Sequence, residues 1–294
     1  MAEEISIDYA ALKKGGFMRQ AQNGKFSMRL KVIGGQLTSK QLKKISEAAE
    51  KYGNSYVHLT SRQGVEVPFI DVKDVEAVKR ELEEAGVSIG VCGPRVRTVT
   101  ACQGSAVCPS AAVETTVLAE ELDKRYFGRE LPHKFKIGIT GCKNNCLKAE
   151  ENDLGIKGIS MPEWCDAKCS FCGLCEAVCA YDAIKIVSET EKEHFFFDKS
   201  KCVYCGKCIK SCPEDAWRGK NGYLLSFGGM FGNEIKTGAY LLPVLFERAQ
   251  VFNAADAVIR FYEANGKAGE RLGKTLTRVG FDVLKKELNM TLGI

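Results

Sequence analysis

Two segments decide the fold of this sequence: Thr100-Ala101-Cys102-Gln103-Gly104-Ser105-Ala106-Val107-Cys108-Pro109 and Thr140-Gly141-Cys142-Lys143-Asn144-Asn145-Cys146. Five residues separate the first two cysteines, and three separate the second two. Four cysteines in two such pairs are typical ligands of an iron-sulfur cluster. We therefore interpret Cys102, Cys108, Cys142 and Cys146 as the ligands of one cluster.

A structural zinc site is the alternative for these four cysteines, because Zn²⁺ also takes four thiolates. Zinc-binding pairs are usually separated by two to four residues, so the five-residue gap between Cys102 and Cys108 fits zinc poorly. A c-type haem is excluded, since the sequence contains no C-x-x-C-H segment.

A second group of cysteines forms an internal repeat. Cys169, Cys172, Cys175 and Cys179 are echoed at the same spacing by Cys202, Cys205, Cys208 and Cys212. This is the bacterial ferredoxin pattern for two [4Fe-4S] clusters, in which the fourth cysteine of each run binds the other cluster. The predicted ligand sets are therefore Cys169, Cys172, Cys175 and Cys212, and Cys202, Cys205, Cys208 and Cys179. Residues 188–201 are predicted to form a hairpin between the two runs.

Two of the 14 cysteines, Cys92 and Cys165, remain without a role in this scheme. Cys165 could replace Cys169 as a ligand, but its spacing fits the pattern less well. We interpret both as buried or loop thiols.

Composition narrows the class of protein. The chain has 294 residues, of which 45% are hydrophobic, and this is enough for a substantial buried core. The polar, acidic start does not look like a signal peptide, and no apolar run is long enough to span a bilayer. We expect a cytoplasmic protein with reduced cysteines and no membrane contact. The net charge of +5 without a basic, aromatic-rich run favours a small anionic ligand over nucleic acid.

The first 90 residues predict an α+β layer with a mostly antiparallel sheet. Residues 1–25 are expected to be an arm without its own core, and alternation predicts a strand over 26–33. Strands are also predicted over 56–60 and 65–70. One helix is predicted from an N-cap at Thr38 or Ser39 to Gly53, and a second from Asp71 or Asp74 to Gly86. The apolar faces of these helices are predicted to contain Leu42, Ile45, Ala49 and Tyr52, and Val75, Val78, Leu82 and Ala85.

The rest of the chain alternates strands and helices around the cysteines. Strands over 96–100 and 134–140 should deliver the two cysteine pairs from a rigid sheet, with a helix over 111–126 between them. A strand over 222–227 and helices over 254–264 and 272–288 are predicted to complete the core.

The two quoted segments, followed by Asp153-Leu154-Gly155, resemble the siroheme-dependent sulfite and nitrite reductases, and most closely the small anaerobic sulfite reductase subunits with an inserted ferredoxin. The resemblance implies an α+β fold of mostly antiparallel sheets with helices. It implies a ferredoxin-like half domain over 1–90, a siroheme and [4Fe-4S] domain over 91–160 and 216–294, and an inserted two-cluster ferredoxin domain over 161–215.

The same resemblance implies the residues of an active site. Cys146 would bridge the cluster to the siroheme iron, and Arg62, Arg97, Lys134 and Lys136 match positions that bind the anion. Other positions near the motifs imply siroheme contacts: Gln63, Arg95, Gln103, Asn144, Gly228 and Gly229. By residue type alone, the two glycines fit a turn or bulge equally well. His133 stands where relatives often have arginine, and it is either a proton donor or an ordinary buried histidine.

The implied activity is the six-electron reduction of sulfite to sulfide, fed through two ferredoxin-type clusters by a ferredoxin or flavoprotein donor. A siroheme nitrite reductase is the alternative. A non-catalytic polyferredoxin carrier would explain the repeat from Cys169 to Cys212 but not the first four cysteines. Larger family members hold two copies of the unit found once here, which implies a homodimer. In it, the cations of one protomer would face the siroheme held by Cys146 of the other.

Overall fold

The first sheet has four antiparallel strands in the spatial order β1-β2-β4-β3. The computed structural model describes residues 7–189 and 192–294. Phe26 and Met28 are buried and alternate with half-buried Ser27, so the predicted period of two is confirmed. The strands are β1 (Phe17–Arg19), β2 (Lys25–Arg29), β3 (His58–Leu59) and β4 (Val65–Asp71).

Two helices cover this sheet, and a third precedes it. Thr38 caps α2, because its hydroxyl accepts from the Gln41 amide at 3.2 Å while the Gln41 side chain accepts from the Thr38 amide at 2.9 Å. This capping box confirms one of the two predicted N-caps. The helices are α1 (Tyr9–Lys14), α2 (Ser39–Tyr52) and α3 (Val75–Glu84).

Two predictions for this region are wrong. Residues 1–25 were predicted to be an arm without its own core, but they contribute α1 and β1. Phe17 is buried in the same core as Phe26. Residues 1–6 lie outside the described part. Leu42 is 52% exposed, because the buried stripe of α2 begins one turn later, at Ile45.

The second sheet has the order β11-β10-β7-β6-β5 and is mixed. Strands β5, β6 and β7 are parallel, whereas β10 pairs antiparallel with β7. In that pairing Leu154 lies opposite Phe227 at one end, and Trp164 lies opposite Trp217 at the other. The predicted α+β class with mostly antiparallel sheets is confirmed; the parallel part is confined to β5, β6 and β7, where α4 (Thr116–Tyr126) carries the chain back between β5 and β6. The strands are β5 (Thr100–Ala101), β6 (Ile137–Thr140), β7 (Leu154–Trp164), β10 (Trp217–Phe227) and β11 (Ala239–Tyr240).

Three C-terminal helices pack with α4 on the second sheet, and their boundaries differ from those predicted. The first begins earlier than predicted, and the second predicted helix is two helices, because Gly280 at φ 112° interrupts it. They are α7 (Arg248–Asn265), α8 (Leu272–Val279) and α9 (Phe281–Leu292).

A smaller unit lies between the paired ends of β7 and β10. An antiparallel strand pair is found here, from Ile184 to Phe197 instead of the predicted 188–201; residues 190–191 lie outside the described part. Trp164 stacks on Phe195 at 4.0 Å between ring centroids, and Trp217 packs edge-on against the same ring. Its elements are α5 (Leu174–Ala177), β8 (Ile184–Glu189), β9 (Lys192–Phe197) and α6 (Lys207–Ser211). The domain boundaries at 90, 160 and 215 remain predictions.

Among the described residues, no helix combines the length and the apolar character that crossing a bilayer requires.

Two side chains of α2, one buried and one exposed, test which face of this helix packs on the first sheet. Ile45→Ala should lower the unfolding free energy by about 2–5 kcal/mol, because a fully buried side chain leaves a cavity. Leu42→Ala, on the same helix, should change it by about 0.5 kcal/mol or less, since this side chain is mostly in water. Urea unfolding measures both, and equal losses would contradict the assigned face.

Candidate functional site

The three parallel strands present cations and cysteines at opposite edges of the sheet. Lys136 directly precedes β6 and Asp153 directly precedes β7, so both lie at the amino edge. Cys102 directly follows β5, and Cys142 comes two residues after β6, so these cysteines lie at the carboxyl edge. Strand direction therefore separates the two predicted parts of the active site within one chain.

The amino edge opens into a cavity of about 430 Å³ between the two sheets. All four predicted anion-binding residues line it, joined by two cations that the sequence did not indicate. Among the described residues, no Asp or Glu side chain belongs to its wall. The cavity therefore suits a strongly anionic occupant. Its cations are Lys13, Arg29, Arg62, Arg97, Lys134 and Lys136.

Both predicted arginines are fixed by polar partners. Arg62 donates to the Asn152 side chain at 2.9 Å and to the Thr98 carbonyl at 3.1 Å. Burial lowers the pKa of the Arg62 guanidinium to about 10, which leaves it charged at neutral pH. Arg97 donates to the carbonyls of Val91 and Gly93 at 3.1 and 3.0 Å. Its Nε is buried and has no partner among the described residues, so it can still donate to a ligand.

The two predicted lysines line the cavity with different surroundings. Burial, together with the nearby Arg62 and Arg271, lowers the pKa of the Lys136 ammonium to about 8. Burial also lowers the pKa of Lys134. Lys136 therefore changes charge close to physiological pH, as a proton donor must. His133 lines the same cavity, but burial and Lys134 lower its pKa, so its imidazole is neutral at pH 7.

A buried ion pair lies beneath Lys136. Arg271 donates to the Asp153 carboxylate through Nε at 3.1 Å and Nη2 at 2.7 Å, and the Lys136 amide donates to the same carboxylate at 2.8 Å. Burial raises the pKa of Asp153, and the guanidinium and amide oppose that rise. Arg271 was not among the predicted site residues, because nothing in the motifs links it to a residue 118 positions earlier.

None of the six predicted siroheme contacts other than Cys146 lines this cavity. Gln63 uses both ends of its amide on the Ala101 backbone, at 2.9 and 3.1 Å. Arg95 pairs with Glu130 at 2.8 Å. Gln103 and Asn144 are exposed side chains near the cysteines. Their roles toward a cofactor remain predictions.

The two predicted glycines follow β10 at the amino edge. The Gly228 amide donates to the Asp153 carbonyl at 2.8 Å, and its φ of 81° favours glycine. A Cβ at Gly229 would lie 2.0 Å from the Glu150 carbonyl oxygen. Close backbone packing explains both residues, and contact with siroheme remains a prediction.

The first four cysteines are neighbours in space. Burial raises the pKa of the Cys142 thiol, and the adjacent Cys108, Cys146 and Cys102 raise it further. The Gly141 amide donates to the Cys102 sulfur at 3.1 Å, and Cys146 is exposed. In the described parts of the chain, no three His, Cys, Asp or Glu side chains are arranged to hold a single metal ion.

Two further, small cavities are lined by cysteines of the internal repeat. Each contains three cysteines of one run and the fourth of the other, which is the crossing arrangement predicted from the spacing. Cys165 lines neither cavity. The two sets are Cys169, Cys172, Cys175 and Cys212, and Cys202, Cys205, Cys208 and Cys179.

The two runs of cysteines also share a backbone hydrogen bond to sulfur. The amides of Phe171 and Tyr204 donate to the cysteine two residues before each, both at 3.4 Å. Both residues have positive φ, 52° and 55°, a strained conformation that turns the amide toward the sulfur. In iron-sulfur proteins, hydrogen bonds of this kind to the cysteine sulfurs help to set the reduction potential of the cluster.

Cys92 is buried in the wall of the cationic cavity. Its sulfur accepts from Arg29 Nη1 at 3.2 Å, and Arg29 also pairs with Glu66. This matches the interpretation of Cys92 as a buried thiol.

Comparison with known proteins identifies the family. Residues 92–294 match the nitrite and sulphite reductase 4Fe-4S domain, and residues 18–85 match the nitrite/sulfite reductase ferredoxin-like half domain. The chain belongs to the nitrite and sulphite reductase family. The resemblance drawn from the cysteine motifs is thereby confirmed.

Individual members of the nitrite and sulphite reductase family match over much of the chain. The coenzyme F420-dependent sulfite reductase of Methanocaldococcus jannaschii is 36% identical, over 93% of this chain and 45% of that protein. A subunit of the anaerobic sulfite reductase of Salmonella typhimurium is 30% identical, over 61% of this chain and 58% of that protein. The chain thus spans about half the length of these curated relatives.

Among solved structures, the crystal structure of dissimilatory sulfite reductase I has a TM-score of 0.73. It is 20% identical in sequence, and the match covers 90% of this chain and 69% of that one. This likeness shows the shared fold of the family.

Cys169 lines one of these cavities and Cys165 lines neither, so we expect only Cys169 to be an iron ligand. Cys169→Ser should remove a ligand and lower the iron content of anaerobically purified protein by about four atoms. Cys165→Ser should leave the iron content unchanged, because this side chain lines neither cavity. Iron and acid-labile sulfide assays measure both variants, and loss of iron only in Cys165→Ser would reverse the assignment.

Proposed function

We propose that this protein reduces sulfite to sulfide at a siroheme coupled to the [4Fe-4S] cluster of Cys102, Cys108, Cys142 and Cys146. The observation that carries this proposal is the cavity lined by six cations and no described carboxylate, in a chain of this family. Sulfite is a small oxyanion, and such a cavity binds it by charge and hydrogen bonds. The names of both curated relatives support sulfite as the substrate.

The residues present fit siroheme, which carries eight carboxylates. Burying that many charges requires cations and free donors. The cavity wall offers both, including the Arg97 Nε that has no partner among the described residues. Cys146 is exposed and therefore accessible to a large macrocycle. When bound, siroheme supplies an iron that binds the sulfur of sulfite and delivers electrons to it.

The protein's own residues would hold the oxyanion and supply protons. Arg62 and Arg97 are anchored to carbonyl and amide oxygens, so their remaining N–H groups are oriented before the anion arrives. Lys136 can transfer a proton from Nζ to a departing oxygen, because burial brings its pKa to about 8. Lys134 adds a second positive charge beside it.

We further propose that electrons reach the first cluster through the two clusters of the repeat, with the Cys179, Cys202, Cys205 and Cys208 cavity nearest to it. Three contacts support this order. Lys143, next to Cys142, donates to the Tyr181 hydroxyl at 2.8 Å, and Tyr181 lines this cavity. Lys210 donates to the Pro109 carbonyl at 2.8 Å, beside Cys108. The amide of Ser160, on β7, donates to the Tyr204 carbonyl at 3.0 Å, beside Cys205.

The other cavity, which contains Cys172, would then receive electrons from a separate donor protein such as a ferredoxin or a flavoprotein. Cys172 is exposed, so a donor can approach its sulfur closely.

We also propose that the complete active site forms between two copies of the chain. Cations and cysteines are at opposite edges of the parallel strands, and no cysteine of the first cluster is among the described residues that line the cationic cavity. A two-fold dimer would bring the amino edge of one protomer against the carboxyl edge of the other. Each siroheme would then lie between Cys146 of one protomer and the four anion-binding residues of its partner.

Nitrite is the second candidate substrate, because the family includes nitrite reductases and both oxyanions suit a cationic cavity. A non-catalytic electron carrier is disfavoured, since it would have no use for that cavity.

The proposed activity is tested with anaerobic protein and a strong one-electron donor. Sulfite should be the better substrate at subsaturating concentration, and iron analysis should give about twelve cluster irons plus the siroheme iron. Lys136→Ala should lower kcat/KM for sulfite by about 100-fold or more, because a proton donor is lost. Lys124→Ala, exposed on α4, is the control and should have no effect. A clear preference for nitrite would transfer the proposal to the second candidate.

Complementation tests the shared site. Lys136→Ala and Cys146→Ser, each expected to have about 1% of the wild-type activity or less alone, are co-expressed with different tags and isolated as the mixed dimer. One of its two sites regains a full set of residues if sites form between protomers, so about half of the wild-type activity should return. An inactive mixed dimer with normal cofactor content would show that each site forms within one chain.

A further inference from the structure

We propose that Asp153 and Arg271 act as a positioning pair, which holds Lys136 at the cavity and sets how readily its ammonium releases a proton. The inference rests on the proposed function, in which Lys136 is the proton donor. Neither Asp153 nor Arg271 lines the cavity, so neither is expected to touch the substrate.

The geometry of the pair fixes the backbone under Lys136. Both oxygens of the fully buried Asp153 accept from the guanidinium of Arg271, which is 9% exposed. One of these oxygens also accepts from the Lys136 amide at 2.8 Å. Asp153 directly precedes β7, Lys136 directly precedes β6, and Arg271 is the N-cap of α8. One carboxylate therefore connects three elements, while the Lys136 side chain lines the cavity and its Nζ donates to the Phe231 carbonyl at 3.4 Å.

Charge gives the pair a second effect on Lys136. Arg62, Lys134 and Arg271 face its ammonium as like charges, and Asp153 is the opposing negative charge. Arg97 and His133 line the same cavity. Because the Asp153 carboxylate and the Arg271 guanidinium act on Lys136 with opposite sign, removing one of them should disturb its protonation more than removing both.

Two variants separate this role from general support of the fold. Asp153→Asn keeps the shape but leaves the Arg271 charge without its partner, so Lys136 should lose its proton at lower pH. Asp153→Asn combined with Arg271→Gln removes both charges and keeps a neutral hydrogen-bonding pair. Lys136 should then return close to wild-type behaviour.

The measurement is the pH dependence of Lys136 acetylation by a water-soluble reagent, read by peptide mass spectrometry on the anaerobic holoprotein. Only the neutral amine reacts, so the pH at which the rate is half-maximal reports the protonation of Lys136, and the wild type is the reference for both variants. We expect a downward shift of at least half a pH unit in Asp153→Asn and its reversal in the double variant. Exposed Lys124 is the internal reference and should not shift.

Labelling does not require turnover, so its result is independent of whether sulfite is the substrate. An unchanged half-maximal pH in Asp153→Asn, or a double variant that stays displaced, would overturn the proposal. If the single variant does not fold but the double variant folds with wild-type labelling, the charge pairing is supported. If the protein reduces sulfite, kcat/KM should fall at alkaline pH as Lys136 loses its proton. The pH of that fall should shift in the same direction as the pH of half-maximal labelling.

Discussion

The buried ion pair of Asp153 and Arg271 is the interaction on which the site depends. A carboxylate without solvent must be paired, and removing one partner of such a pair typically costs about 3–5 kcal/mol. Here the pair also joins the starts of two parallel strands to the C-terminal helices. The six cations of the cavity repel one another, so a rigid base is needed to keep them together before an anion binds.

Parallel strands explain how one short unit carries two sets of functional residues. Cations precede the strands and cysteines follow them, so each edge of the sheet has its own chemistry. The repeat with eight cysteines extends from the carboxyl edge, because β7 and β10 continue well past the end of β6. In the proposed dimer, electrons would therefore come from the protomer that supplies Cys146, and the anion would be held by the cations of its partner.

Local patterns predicted much of this structure, and long-range pairing did not. Cysteine spacing indicated the crossing sets around the two small cavities, because ligand spacing is a local property. The capping box at Thr38 was likewise visible in sequence. Strand β7 was not predicted, since its glycines, which allow close packing at Gly155 and Gly158, interrupt the alternation. The parallel strands and the partner of Asp153 depend on residues far apart in the chain. The anion-binding role of Arg62, Arg97, Lys134 and Lys136 was predicted from the family resemblance, and these four residues line one cavity.

The most direct test of the central claim is the absorption spectrum of protein purified without oxygen, before and after sulfite is added. The account predicts a Soret band and a long-wavelength band of siroheme above the broad absorption of the clusters, and a shift of both when sulfite binds to the reduced protein. The Lys136→Ala variant should keep the bands and weaken the shift. A spectrum with only the broad shoulder of iron-sulfur clusters, in protein with a full complement of cluster iron, would contradict the account.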